Sequence, residues 1–398
     1  MMIDVAEAWA RVADAMPAWQ VERIAIHEAA GRVLLEAIEA DRDQPPFDRV
    51  TMDGIAIALE TPEPRPSYRI AGTHPAGAPA PVLADPGDCF EVMTGAVLPE
   101  GCNCVVPVER VTIKNGLAKV SRDFEAHPGR YIHAEGTDYR AGASLLEPGQ
   151  RLGTPEIAVL ASVGVAKVRV NSWPRVTVIS TGDELVDPGE PVKPHQIRRA
   201  NDYAIAAGLR RAGVVDIKML HLRDDPERMR ATVAEALEAS ELLVLSGGVS
   251  KGKFDYLPGI LDELGVRKVF HRVSQRPGKP MWFGTTPDGW PVFALPGNPV
   301  SALVGLTRYV IPALYLAAGA EPPVETVALA MDLAVTGDLT HFVPVDLERA
   351  SSGLPMAAPR ELNTSGDFFG LAGSAGIVEI PAGAGHCASG MAVRLYRW

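Results

Sequence analysis

Arg175-Val176-Thr177-Val178-Ile179-Ser180-Thr181-Gly182-Asp183-Glu184-Leu185 decides the fold. Residues 176–180 form an uninterrupted β-prone run of the kind found in a strand buried on both faces. The run breaks at Gly182 into a loop carrying two carboxylates. C-terminal to it, helices and strands alternate. Asn201 is placed to cap a helix ending near 212, and residues 215–220 read as a strand. Asp225-Pro226-Glu227 opens a helix to about 240, with Asp225 as its cap. Further strands are expected at 242–246 and 268–273, a helix at 256–264, a pair of strands at 280–283 and 291–295, and one long helix over 300–316. This alternation predicts a three-layer α/β/α domain with a parallel-rich sheet over residues 174–320. Such sheets bind ligands beyond the C-terminal ends of their strands.

On the N-terminal side the texture changes. Asp4 and Glu7 have capping-box spacing, and Val5, Trp9, Val12 and Met16 make one apolar helical stripe that Pro17 ends. Thr154-Pro155-Glu156 starts a second helix, followed by a strand at 166–170. Between them, short β runs at 68–71, 89–94, 104–108, 111–114 and 117–120 alternate with turn residues, and seven prolines fall between 61 and 87. The expected organisation is an elongated, discontinuous N-terminal domain (1–44 with 142–173), an inserted small β domain (45–141), the α/β domain, and a C-terminal β-barrel-like domain (321–398). A linker, Gly319-Ala320-Glu321-Pro322-Pro323, precedes the last.

Composition agrees. At roughly 150 residues per domain, 398 residues make about two to four domains. The 38 glycines and 34 prolines imply many turns and argue against a helical bundle. Thirty-eight Lys and Arg against 49 Asp and Glu give a net charge of −11, which disfavours broad binding to nucleic acid or an anionic membrane. Cys89, Cys102, Cys104 and Cys387 lack zinc-site spacing and read as apolar filler. No signal-peptide pattern and no uncharged apolar stretch of about 18 residues is present, so a cytoplasmic enzyme is expected. Trp282, Trp290 and Trp398 read as core or interface residues, and no Ser–His hydrolase motif occurs.

The chemistry-bearing residues lie in the loops after the strands. They are Thr181 to Leu185; His221-Leu222-Arg223-Asp224-Asp225; Ser246-Gly247-Gly248-Val249-Ser250 through Asp255; Ser274-Gln275-Arg276-Pro277-Gly278-Lys279; and Pro296-Gly297-Asn298-Pro299-Val300-Ser301. Carboxylates beside anion-binding turns and cations are what a metal–phosphate site needs. Gly247, Gly252 and Lys253 have P-loop spacing, but Phe254 replaces the metal-binding hydroxyl, which favours a different phosphate-cradling turn. Residues 265–287 hold five cations (Arg267, Lys268, Arg272, Arg276, Lys279) and no acid. Pro277-Gly278 makes a turn able to aim Arg276 and Lys279 together as an oxyanion clamp; a solvated face is the alternative. Asp183-Glu184 could equally cap a helix. Because Asp225 suits a cap, Asp224 is the functional candidate of that pair.

Taken in order with Pro45-Pro46-Phe47-Asp48, Met52-Asp53-Gly54 and Met93-Thr94-Gly95-Ala96, these segments resemble the molybdopterin molybdotransferase family, bacterial MoeA proteins and the E-domain of gephyrin. The resemblance covers nearly the whole chain. It implies insertion of molybdate into adenylated molybdopterin, with Mg²⁺-dependent hydrolysis of the adenylate and release of AMP. It also implies a homodimer with its active site at the subunit interface, and a molybdopterin adenylyltransferase as a possible partner. By resemblance, Asp224 and Asp255 are metal carboxylates, and Glu184 with Asp183 are acids needed for activity. Gly247, Gly248, Ser250, Pro296, Gly297, Asn298, Ser301 and Ser365 surround the nucleotide or oxyanion, and Arg276 and Lys279 hold molybdate. Asp53 and Thr94 reach the cleft from the second subunit.

Two positions depart from the family pattern. Arg276 stands where Lys is usual, and Thr340-His341-Phe342-Val343-Pro344 lacks a customary Arg, leaving His341 and Arg349 as basic alternatives. Two rival readings share these residues: another nucleotide-pyrophosphate hydrolase or adenylyltransferase, and a non-enzymatic dimeric scaffold.

Overall fold

The computed structural model describes residues 2–61, 63–249, 256–350 and 353–398. The chain divides into two units, Met1–Glu36 with Pro148–Thr154 and Lys167–Trp398, and Ala37–Glu147 with Pro155–Ala166.

The first unit contains the α/β core. Its strands are β1 (Val176–Thr181), β2 (Ile217–Leu222), β3 (Leu242–Ser246), β4 (Arg267–His271), β6 (Trp282–Thr285) and β7 (Pro291–Leu295), with the two-residue strand β5 (Gln275–Arg276) between β4 and β6. The sheet order is β2-β1-β3-β7-β6-β4. The first three pairings are parallel and the last two antiparallel, so the sheet is mixed, with a parallel majority.

Alternate residues of each strand enter different cores, as the period of two requires. Val178, Val244 and Phe293 pack with Ile205 and Leu209 of α1 (Asn201–Ala212). Ile179, Leu243, Leu245 and Val292 pack with Met229 and Val233 of α2 (Pro226–Ala239) and Ile260 of α3 (Leu257–Glu263). Apolar clusters on both faces make the three layers.

The expected helix over 300–316 has three parts: α4 (Pro299–Gly305), a π-helical segment Leu306–Val310, and α5 (Ile311–Ala317). The 19-residue stretch Pro299–Ala317 contains an 18-residue window of mean hydropathy 1.5, apolar enough to cross a membrane, yet 83% of that window is buried inside the fold. It is a core helix, and its apolarity reflects burial against the sheet.

The C-terminal strands β8 (Glu325–Leu329), β9 (Thr340–Arg349), β10 (Pro355–Pro359), β11 (Gly376–Ile380) and β12 (Ala392–Arg397) pair in the order β9-β10-β8-β12-β11. A further β9–β11 pairing closes them into a five-stranded barrel. Val327, Val345, Val378 and Leu395 fill it. β5 adds to the outside of β9 as a parallel strand, Gln275 against Thr340 and Arg276 against His341.

The second unit holds a six-stranded sheet ordered Cys104–Pro107, Gly54–Ile57, Asp88–Val92, Ser67–His74, Leu117–Val120, Val111–Lys114. Each of the five short β runs lies in it. The strand Gly54–Ile57 was not expected. Its glycine is dictated by crowding, since a Cβ there would stand 2.0 Å from the Val106 carbonyl oxygen.

All four cysteines are free and buried. Burial pushes the Cys89 and Cys102 thiols up to about 12 and raises Cys104 as well. The thiolate is the reactive form. The native protein is therefore expected to resist the thiol reagent DTNB at pH 8 and to yield four thiols after unfolding. Rapid labelling of the folded chain would contradict the filler role.

Candidate active site

In a parallel sheet, β1, β2, β3 and β7 all end at one edge. β6 runs antiparallel and β4 reverses again, so the connection between β4 and β6 returns to that same edge. The five loops read from the sequence therefore share one rim. The five cations do not. Arg267 and Lys268 lie at the start of β4, at the opposite edge, and only Arg272, Arg276 and Lys279 follow its end.

After β1, Gly182 adopts φ +142°, and a Cβ there would fall 2.3 Å from a carboxylate oxygen of Glu184. Only glycine lets the Glu184 carboxylate fold back over the turn. Asp183 and Glu184 are exposed. The backbone N–H of Asp224 donates to Asp183 Oδ1 at 3.3 Å, joining the loops after β1 and β2. Asp225 caps α2, accepting from the amides of Glu227 and Arg228 at 3.2 Å each, so its carboxylate is engaged at the helix start.

After β3, Gly247 and Gly248 have φ +98° and +67°. A Cβ on Gly247 would approach Thr181 Oγ1 to 2.7 Å, so this turn wedges against the end of β1. Val249 is buried; residues 250–255, including Ser250 and Asp255, lie outside the described residues.

After β7, Pro296 is buried while Gly297 and Asn298 are exposed. Asn298 Nδ2 donates to Ser365 Oγ at 2.9 Å, and the Val300 amide donates to the Ser365 carbonyl at 3.1 Å. Ser365 is thus brought to the rim from the C-terminal segment. Ser301 is buried in the first turn of α4.

The β4–β6 connection carries the cations. Gln275 is buried, Arg276 and Lys279 are exposed, and Gly278 turns the chain at φ +93°. Neither Arg276 nor Lys279 forms an ion pair among the described residues, which leaves both cations available to an anion.

Two rim residues have roles that the sequence reading did not assign. Asn201 is not a cap: Ala200 takes that position, and Asn201 Nδ2 donates to Ser246 Oγ (2.9 Å) and the Gly297 carbonyl (2.7 Å). It ties the ends of β3 and β7. His221 Nε2 lies 2.9 Å from the Gly182 carbonyl, a bond that requires the proton on Nε2. Its position at the C-terminal end of a strand was the available signal.

In the second unit, Asp53 and Thr94 form a linked pair. The Thr94 amide and hydroxyl both donate to Asp53 Oδ1, at 2.6 and 2.7 Å. These bonds, the backbone one foremost, hold the Asp53 carboxyl below its usual value. A depressed folded-state pKa contributes stability above the unfolded pKa of about 3.9 and loses it as pH falls through the folded value. At neutral pH the carboxylate is charged. Thr94→Val is expected to raise the Asp53 pKa partway towards the ordinary value, read by a carbon-detected carboxyl titration. An unmoved titration would show that the hydroxyl does not contribute.

Among the described residues, no three His, Cys, Asp or Glu side chains converge as a metal cage. What the rim does present is hard carboxylate oxygens on two adjoining loops and two exposed cations on a third, without an ion-pair partner among the described residues.

The rim and the five-stranded barrel define an α/β protein with a C-terminal barrel, and comparison with known proteins gives its family. Residues 3–164 match the "MoeA N-terminal region (domain I and II)", and residues 177–315 match the "Probable molybdopterin binding domain". The chain is 40% identical to the molybdopterin molybdenumtransferase of Synechocystis, covering 100% of both, and 31% identical to that of Bacillus subtilis, covering 99% of this chain and 93% of that one. It superposes on the crystal structure of a molybdopterin biosynthesis MoeA protein from Pyrococcus horikoshii OT3 with a TM-score of 0.82 at 26% identity, over 100% of both chains. The chain belongs to the MoeA family of molybdopterin molybdenumtransferases.

Proposed function

We propose that this chain inserts molybdate into adenylated molybdopterin, with Mg²⁺-dependent hydrolysis of the phosphoanhydride and release of AMP. The observation that carries the reading is the single rim. Exposed Arg276 and Lys279 stand on one loop, and Asp183, Glu184 and Asp224 stand on loops of the same sheet edge. Molybdate is a tetrahedral dianion, and fixed cations suit it. The dithiolene sulfurs of the substrate supply the soft ligands, so no protein thiolate is required, in keeping with the buried cysteines.

Mg²⁺ is bound by one or two carboxylates together with substrate phosphates, so a rim without a full protein cage fits it. Asp224 and Asp255 would hold it, and it would supply Lewis-acid activation of the phosphoanhydride. The remaining duties fall to the chain itself. The Gly247-Gly248 turn and the residues Pro296, Gly297, Asn298, Ser301 and Ser365 line the approach for the nucleotide. Arg276 and Lys279 clamp the oxyanion.

The active form is a homodimer in the cytoplasm, with Asp53 and Thr94 of one subunit serving the rim of the other, and a molybdopterin adenylyltransferase supplies the substrate. This part rests on the family resemblance. Co-expression tests it: Asp53→Ala and Asp224→Ala chains, each inactive alone, should regain activity together as mixed dimers. Failure of complementation would reject the shared site.

The function is tested by incubating purified protein with adenylated molybdopterin, Mg²⁺ and molybdate. AMP release and formation of active cofactor are expected, and their absence would refute the reading. Running molybdate against tungstate in the same assay identifies the metal delivered.

A further inference from the structure

Gln275 lies in a chemistry-bearing loop, but the sequence gives it no role of its own. It is a neutral residue, 1% exposed, immediately before the exposed Arg276. Its side chain is nevertheless the floor of the cationic loop. Gln275 Nε2 donates to the carbonyls of Pro277 and Gly278, at 3.3 Å each. Its Oε1 accepts from the hydroxyl of Tyr309 at 2.6 Å. A Cβ on Gly278 would lie 2.7 Å from that Nε2, so the loop backbone passes directly over the amide.

Tyr309 is itself fully buried within the π-helical segment Leu306–Val310. π-segments inside α-helices recur at functional sites. Here the segment places consecutive side chains on different partners, Tyr309 on Gln275 and Arg308 on Glu379 of β11, the latter at 2.8 Å. The orientation of the amide is determined by its bonds. With its oxygen held by a phenol donor, its nitrogen must face the two loop carbonyls. An amide rotated the other way would oppose oxygen to carbonyl oxygen.

We propose that Gln275 and Tyr309 are positioning residues of the anion clamp. The Tyr309 hydroxyl orients the Gln275 amide, the amide holds the carbonyls of residues 277 and 278, and the loop so held points Arg276 and Lys279 at a tetrahedral oxyanion. The inference rests on the reading of Arg276 and Lys279 as that clamp.

Titration calorimetry of sodium molybdate into the full-length chain tests it, with Lys279→Ala, Tyr309→Phe, Gln275→Leu and the last two combined. Tyr309→Phe keeps the ring and its packing, and a thermal melt verifies folding. Loss of one buried neutral hydrogen bond corresponds to about a three- to tenfold weaker molybdate affinity. Gln275→Leu should weaken binding at least as much, and the double variant no more than Gln275→Leu alone, because the hydroxyl acts only through the amide. In turnover, half-saturating molybdate should rise while the rate at saturation and the affinity for adenylated molybdopterin hold. An equal loss in all three would mark a merely structural role and overturn the inference. If Lys279→Ala abolishes binding while Tyr309→Phe and Gln275→Leu bind as the parent does, the positioning role is wrong and the clamp stands. If Lys279→Ala binds molybdate normally, the clamp reading falls and the inference falls with it.

Discussion

Asp224→Ala is expected to lower AMP release by about 10²–10³-fold, whereas Asp225→Ala, one residue on, should leave turnover within about threefold. The contrast follows from the division of labour after β2. Asp225 spends its carboxylate on two amides at the start of α2, and losing such a cap costs about 1 kcal/mol of stability. Asp224 is half-buried at the rim, its backbone amide bonded to Asp183. In the proposed chemistry it carries a metal that neutralises phosphoanhydride charge, an effect worth several kcal/mol in the transition state, at 1.36 kcal/mol per tenfold in rate. Raising Mg²⁺ should partly restore Asp224→Ala if the defect is metal affinity. Equal activity of the two variants would remove Asp224 from the mechanism.

Arg308→Met is expected to destabilise the first unit by about 3–5 kcal/mol, lowering its thermal midpoint by roughly 10 °C. Arg308 is 5% exposed. Its Nε donates to Glu379 Oε2 at 2.8 Å, and the Tyr396 hydroxyl donates to the same oxygen at 2.9 Å. Burial pushes the Tyr396 phenol up to about 12, so it remains a donor at neutral pH. The guanidinium also sits over the rings of Trp9, Tyr309 and Tyr396, at 5.7, 5.2 and 5.2 Å. Methionine fills the volume but leaves the Glu379 carboxylate without its counterion in a poorly solvated place. The pair Arg308→Met with Glu379→Gln should recover part of the loss, since the larger penalty comes from the stranded charge. A midpoint shift below about 2 °C would show that water reaches Glu379 freely.

The α/β core was legible because its central strands β1, β3 and β7, buried along their whole length, read as largely apolar runs, and because loops follow strands in a fixed order. The acids, the glycine turn and the cations therefore fell where the topology puts them. What escaped depends on contacts between distant residues. Asn201 has the chemistry of a cap, but its amide is claimed by Ser246 and Gly297 across the sheet. Gln275 finds its partner 34 residues on. The strand Gly54–Ile57 is four residues long and hidden in a turn-like motif. The run of five cations looked continuous in sequence, while a strand's length carries its first members to the opposite edge. The barrel closes by pairing β9 with β11, a contact between separate segments that no local pattern announces.

β5 is only two residues long, yet it is laced into the barrel. The Thr340 amide donates to the Ser274 carbonyl, and the Ser274 amide donates to Ile3. Backbone so anchored opens only when the ladder beside it opens, which is a rare sub-global event. The amides of Ser274 and Gln275, which donate to Ile3 and Val273, should therefore exchange slowly for a surface connection. In the proposed clamp, adjustment to an arriving oxyanion then falls to the rotamers of Arg276 and Lys279, which as exposed side chains interchange in picoseconds to nanoseconds. If the loop is the clamp proposed above, capture there is a matter of side-chain selection on a stationary backbone.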